Sequence, residues 1–174
     1  MKVAVGHKAS EPRGGSGGAR SFFPPMTVLH IDDDPNDTTL LQAAARKAQA
    51  QFILQNVEDG DQAIAYLSGS APYTDRVRYP LPSLILLDLK MPRQTGFEIL
   101  KWIRAHPELG RLPVVVLSGS ELHDDIKQAY VGGANSYVVK PIGFEALVSL
   151  VRDLSAAWLP MSAGNRAASR PGGV

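Results

Sequence analysis

Leu84-Ile85-Leu86-Leu87-Asp88-Leu89-Lys90-Met91-Pro92 is the stretch that decides the fold. A run this short, and apolar at each of its first four positions, reads as a strand buried on both faces of a parallel sheet. Asp88 closes the run and so stands at the sheet's carboxyl end. That end is where open α/β sheets place their ligands and chemistry. Taken alone, an acid there is equally well a cap for the next loop.

The same pattern repeats on either side. Val28-Leu29-His30-Ile31 is a short apolar strand. Asp34 follows as a helix N-cap, with Pro35 at the first helical position, where its missing N–H costs nothing. Leu40, Leu41, Ala44, Ala45 and Ala48 recur at helical spacing. Phe52-Ile53-Leu54 with Val57 makes a second strand, and Asp59-Gly60 turns into a helix carrying Ala63, Ile64 and Leu67. Ser68 to Pro82 reads as a long polar loop. Beyond Asp88, a helix carries Phe97, Ile99, Leu100, Trp102 and Ile103 and ends near His106-Pro107. Pro113 to Leu117 is a fourth strand. Ser120 is expected to cap a helix holding Leu122, Ile126, Ala129 and Tyr130, which Gly132-Gly133 ends. Tyr137-Val138-Val139 is a fifth strand. The last helix shows Phe144, Leu147, Val148, Val151, Leu154 and Trp158 at helical spacing. Strict alternation of short strands and helices implies α/β architecture: a doubly wound, five-stranded parallel sheet with helices on both faces.

Composition sets the frame. With 44% hydrophobic and 20% charged residues, the 174-residue chain has the makeup of an ordinary globular domain with tails. It has no cysteine, which excludes disulfides and thiolate metal sites. Its net charge of +1 is unevenly spread. Residues 1–25 carry +3 and residues 160–174 carry +2, which leaves −4 on 26–159. An acidic core argues against nucleic-acid binding. No apolar stretch reaches transmembrane length and no signal-peptide pattern opens the chain, so no membrane partner and a cytoplasmic location are expected. Gly14-Gly15-Ser16-Gly17-Gly18 has linker composition. The expected organisation is a flexible tail over 1–25, one domain over 26–159 and a second flexible tail over 160–174.

The strand ends carry the chemistry. The first strand ends in Asp32-Asp33-Asp34, the third in Asp88, the fourth in Ser118 and the fifth in Lys140-Pro141. In a parallel sheet all of these lie on one rim. Gathered carboxylates repel one another, and a hard divalent cation removes that cost. Oxygen donors without Cys or His favour Mg2+. A lysine and a hydroxyl opposite the acids suit phosphate oxygens. The implied chemistry is phosphoryl transfer to an aspartate. Taken singly, each residue has a plainer role: Asp34 as a cap, Lys140 on the surface, Tyr137, Trp102 and Trp158 in packing, and His30 as a core or edge histidine.

At Ile31-Asp32-Asp33-Asp34-Pro35, at Leu86 to Pro92 with Gly96, at Val116-Leu117-Ser118-Gly119-Ser120 and at Tyr137-Val138-Val139-Lys140-Pro141, the sequence resembles the response-regulator receiver domain of two-component signalling. The resemblance implies a flavodoxin-like sheet of order 2-1-3-4-5 and a signalling protein that is not an enzyme. It makes Asp88 the phosphoacceptor for a sensor histidine kinase. It gives Asp33, Asp88 and the backbone carbonyl of Lys90 as Mg2+ ligands, with Asp32 acting through water. It pairs Lys140 with the acyl phosphate, assigns Ser118 and Tyr137 to the switch, and makes the Lys140–Pro141 peptide cis. Asp32 stands where Glu is frequent in the family, and Ser118 where Thr is frequent. Lys90 occupies a position to which the family's dephosphorylation rate is sensitive.

The loop Gly69 to Arg76 and the stretch Pro107 to Ser118 are similar to single-domain regulators associated with phytochrome-type kinases. That narrower resemblance implies a light-regulated kinase as one donor, and often a homodimer. Past Trp158 the remaining residues are too few for an output domain. Output is therefore expected through protein contacts at the fourth helix, fifth strand and fifth helix, or through a histidine phosphotransfer protein. A phosphorylation-independent scaffold is the alternative. A phosphatase of the haloacid-dehalogenase type would want an acid where Lys90 stands, and a dinucleotide enzyme a glycine-rich turn where Asp32 to Pro35 stand.

Overall fold

The computed structural model describes residues 26–159; the two expected tails lie outside the described residues. Five strands alternate with five helices: β1 (Met26–Ile31), α1 (Pro35–Lys47), β2 (Phe52–Val57), α2 (Gly60–Ser68), β3 (Leu84–Leu87), α3 (Gly96–Ala105), β4 (Val114–Ser118), α4 (His123–Val131), β5 (Ser136–Val139) and α5 (Phe144–Trp158). All pairings are parallel and the order is β2-β1-β3-β4-β5. This is the expected flavodoxin-like architecture. Among the described residues, no helix is long and apolar enough to cross a membrane.

Strand side chains alternate between faces, and the sheet consequently divides two cores. Leu29, Ile31, Ile85, Leu87, Val114 and Val116 pack with residues of α2, α3 and α4. Val28, Leu84, Leu86, Val115 and Leu117 pack with Leu41 and Ala44 of α1 and Val148, Val151 and Leu154 of α5. The helix starts follow local chemistry. The Asp34 carboxylate accepts from the Asn36 amide, Asp59 accepts from the Gln62 amide, and Thr95 and Glu98 form a reciprocal capping box.

Two local expectations change. Ser120 does not cap α4. The N-cap is Leu122, and the Ser120 hydroxyl donates instead to the Asp125 carboxylate. The loop after α2 is not simply polar. Tyr66, Tyr73 and Tyr79 cluster in tilted and edge-to-face contacts, with ring centroids 5.1–6.0 Å apart. Arg76 ties this loop to the end of α2 by donating to the carbonyls of Tyr66 and Leu67.

Candidate functional site

The carboxyl ends of β1, β3, β4 and β5 do meet. Asp32 and Asp88 are buried, and Asp33 is more open to solvent. One carboxylate oxygen from each of these three residues lies within 4.8 Å of the other two. The backbone fixes the two buried acids. The Asp32 amide donates to the Val57 carbonyl at 3.1 Å, and the Asp88 amide to the Ile31 carbonyl at 2.9 Å. Asp88 Oδ1 accepts from the Leu89 amide at 2.8 Å, which orients the carboxylate and leaves Oδ2 turned toward Lys140.

Lys140 enters from β5, where its amide donates to the Ser118 carbonyl at 2.9 Å. Its Nζ lies 2.8 Å from Asp32 Oδ2, 2.6 Å from Asp37 Oδ2 and 3.7 Å from Asp88 Oδ2. The Lys140–Pro141 peptide, expected to be cis, is trans. Ala71–Pro72 is the one cis bond among the described residues. Trans is the intrinsic preference of an X–Pro bond, and with it the ammonium already reaches the acids.

Burial disfavours charge on Asp32. Hydrogen bonds from His30, Lys140 and the Asp34 amide outweigh it and bring the pKa down to about 2. Burial likewise disfavours the charged Lys140, but Asp32 and Asp37 hold its pKa above the ordinary lysine value. The sign for stability follows. An Asp32 carboxyl in the unfolded chain titrates near 3.8, so its native charge stabilises fully above that pH. The benefit, about 2 kcal/mol, is lost as pH falls toward 2. Denaturant unfolding measured from pH 5 to 2 is expected to show this loss, and Asp32→Asn to flatten it.

Ser118 is fully buried, and its hydroxyl has no hydrogen-bond partner. Tyr137 is partly buried, and its hydroxyl donates to the Ser120 carbonyl at 2.9 Å. Lys90 is exposed, two residues beyond Asp88. The closely spaced carboxylate oxygens of buried Asp32 and Asp88 and the more open Asp33, with no sulfur donor among them, fit a hard divalent cation. The partnerless Ser118 hydroxyl fits an acceptor that arrives with a ligand.

A family model described as the response regulator receiver domain matches residues 28–152. The chain belongs to the response-regulator receiver family. Response regulator Rcp1 of Synechocystis sp. is 34% identical, with 78% of this chain and 90% of that protein covered. The crystal structure of the phosphorylated cyanobacterial phytochrome response regulator RcpA is 34% identical, with a TM-score of 0.71 and 78% and 94% of the two chains covered. The Mn2+-bound form of Rcp1 is 31% identical, with a TM-score of 0.69 and coverage of 85% and 100%. This receiver domain is thus a two-component signalling module, similar along most of its length to phytochrome response regulators.

Two residues at the receiver site escaped the sequence reading. Asp37, in the first turn of α1, makes the shortest of the three Lys140 contacts. His30, expected as a core or edge histidine, is buried, and Nε2 lies 3.3 Å from Asp32 Oδ2 and Nδ1 3.0 Å from Asn56 Oδ1. A signal for His30 was available: residues two apart on a strand share a face.

Proposed function

We propose that this receiver domain accepts a phosphoryl group on Asp88 from the phosphohistidine of a sensor histidine kinase in a Mg2+-dependent reaction. The observation that carries the reading is the convergence of the Asp32, Asp33 and Asp88 carboxylates with the Lys140 ammonium at one rim of the sheet. In the transfer, a carboxylate oxygen of Asp88 forms a bond to phosphorus while the phosphorus–nitrogen bond breaks, and the imidazole leaves with the electron pair. Asp33, Asp88 and the Lys90 carbonyl would hold the metal directly, and Asp32 would hold it through water. Bound there, Mg2+ would offset the repulsion among the carboxylates and neutralise charge on the phosphoryl oxygens. Lys140 pairs with the acyl phosphate, and the Ser118 hydroxyl donates to one of its oxygens. The likeness to RcpA and Rcp1 supports both parts of this reading, one being solved phosphorylated and the other with Mn2+ bound.

The same likeness favours a phytochrome-type kinase as donor and a cytoplasmic setting. The domain signals through changed protein contacts, or passes the group to a histidine phosphotransfer protein. Tyr137 couples Ser118 to the face of α4, β5 and α5, where Tyr130, Val131 and Ile142 are exposed. A homodimer through that face is one outcome of the change.

Incubation with radiolabelled acetyl phosphate and Mg2+, followed by peptide mapping of the label, tests the reading. Label on the peptide containing Asp88, lost when Mg2+ is chelated, is the expected result. A protein that takes no label is a scaffold with a receiver fold, and the proposal is then wrong.

A further inference from the structure

The geometry points to Asp37 as a positioning residue that restrains phosphorylation by holding Lys140 away from the acceptor. This inference rests on the role proposed for Asp88 and Lys140. The ammonium is shared among three carboxylates, and it lies 2.6 Å from Asp37 but 3.7 Å from Asp88. Asp37 cannot simply follow the lysine. It sits in the first turn of α1, whose start is fixed by the Asp34 cap and Pro35. The neighbouring Thr38 hydroxyl is bonded to Asn56 at 3.0 Å, and the Lys47–Glu145 ion pair links α1 to α5.

Lys140, in contrast, is a long, flexible side chain that is only partly buried. It borders a crevice of about 120 Å3 that Asp32 and Asp37 also line and Asp88 does not. A phosphoryl group on Asp88 adds negative charge where Nζ is now only loosely engaged. As Nζ is drawn to that charge, its hydrogen bond to Asp37 competes with the new contact. The Asp37 carboxylate also repels an incoming phosphoryl donor. Both effects favour the unphosphorylated form, and both weaken when the carboxylate becomes a carboxamide, whose oxygen still accepts a hydrogen bond but carries no charge.

Two readouts test this: the initial rate of labelling by acetyl phosphate with Mg2+, and the affinity for beryllofluoride, a phosphoryl mimic, by calorimetry. Asp37→Asn is expected to raise both about fivefold, the scale of one charge-assisted hydrogen bond at a partly exposed site. Asp37→Glu, which keeps the charge within reach of Lys140, is expected to stay near wild type. Asp34→Asn removes a charge from the same helix start, retains a good cap and has no contact to Lys140, so it too is expected to stay near wild type. Asp37→Asn within twofold of wild type, or slower, overturns the inference, as does an equal gain from Asp34→Asn. If Asp37→Asn fails to fold, Asp37→Glu decides: an altered rate or affinity in a folded protein overturns the inference, and wild-type values sustain it. A wild-type protein that takes no label overturns the underlying role of Asp88 as well, so the two failures are distinguishable.

Discussion

Asp88→Asn is expected to remove phosphoryl incorporation altogether, at least about a hundredfold below wild type, because a neutral carboxamide is a far poorer nucleophile than a carboxylate. The substitution is close to isosteric. Its side-chain oxygen still accepts from the Leu89 amide, and the main-chain bond to the Ile31 carbonyl is untouched. The contact given up, to Lys140 at 3.7 Å, is the weakest of that lysine's three. Removing one of three crowded carboxylates also relieves repulsion. The variant should therefore remain folded, with a thermal midpoint at or above that of wild type. Labelling and a melt on the same sample separate chemistry from folding. Wild-type labelling of a folded Asp88→Asn protein would show that another group is the acceptor.

Gly96→Ala is expected to destabilise the domain by about 3 kcal/mol and to impair labelling with it. A Cβ at Gly96 would stand 2.1 Å from the Asp88 carbonyl oxygen, 2.8 Å from the Leu89 Cα and 3.0 Å from the Asp88 carbonyl carbon. All three are main-chain atoms of the segment that carries Asp88, so no rotamer change relieves the clash. The Gly96 amide also donates to the Leu89 carbonyl at 3.1 Å, which holds the start of α3 against that segment. Gly119 is the control. A Cβ there meets nothing within 4 Å, so Gly119→Ala should leave the unfolding midpoint nearly unchanged. Equal melting of Gly96→Ala and wild type would contradict the close packing.

The elements were legible because their signals are local. Short apolar runs alternating with helical periods read as buried strands, and four of the five end at an acid, hydroxyl or lysine that the parallel sheet must bring to one rim. Asp37 was not legible. Its partner lies 103 positions away, and the contact depends on how α1 is set against the end of β5, which no local pattern encodes. Lys140–Pro141 shows the opposite error. A cis bond was carried over from the family, whereas the chain meets its acids through the trans form that proline ordinarily prefers. The tyrosine cluster was masked by its setting. Three prolines and several polar residues make 68–82 read as irregular, yet Tyr73 and Tyr79 pack on Tyr66 of α2. Ser120 was assigned to a cap by residue type alone, and Asp125, five residues on, took its hydroxyl instead.

The ion pair between Lys140 and Asp32 joins residues 108 positions apart, and it has a consequence for the chain during synthesis. The three acids are all translated before β4 and β5 exist. Until Lys140 has emerged and the outer strands have docked, the β1 and β3 ends hold crowded negative charge without their cation. A nascent or half-folded chain therefore lacks the charge balance that the proposed acceptor site has in the folded domain. Long-range pairing of this kind is slow to form, so the phosphorylation proposed at Asp88 would also report that the whole sheet has closed.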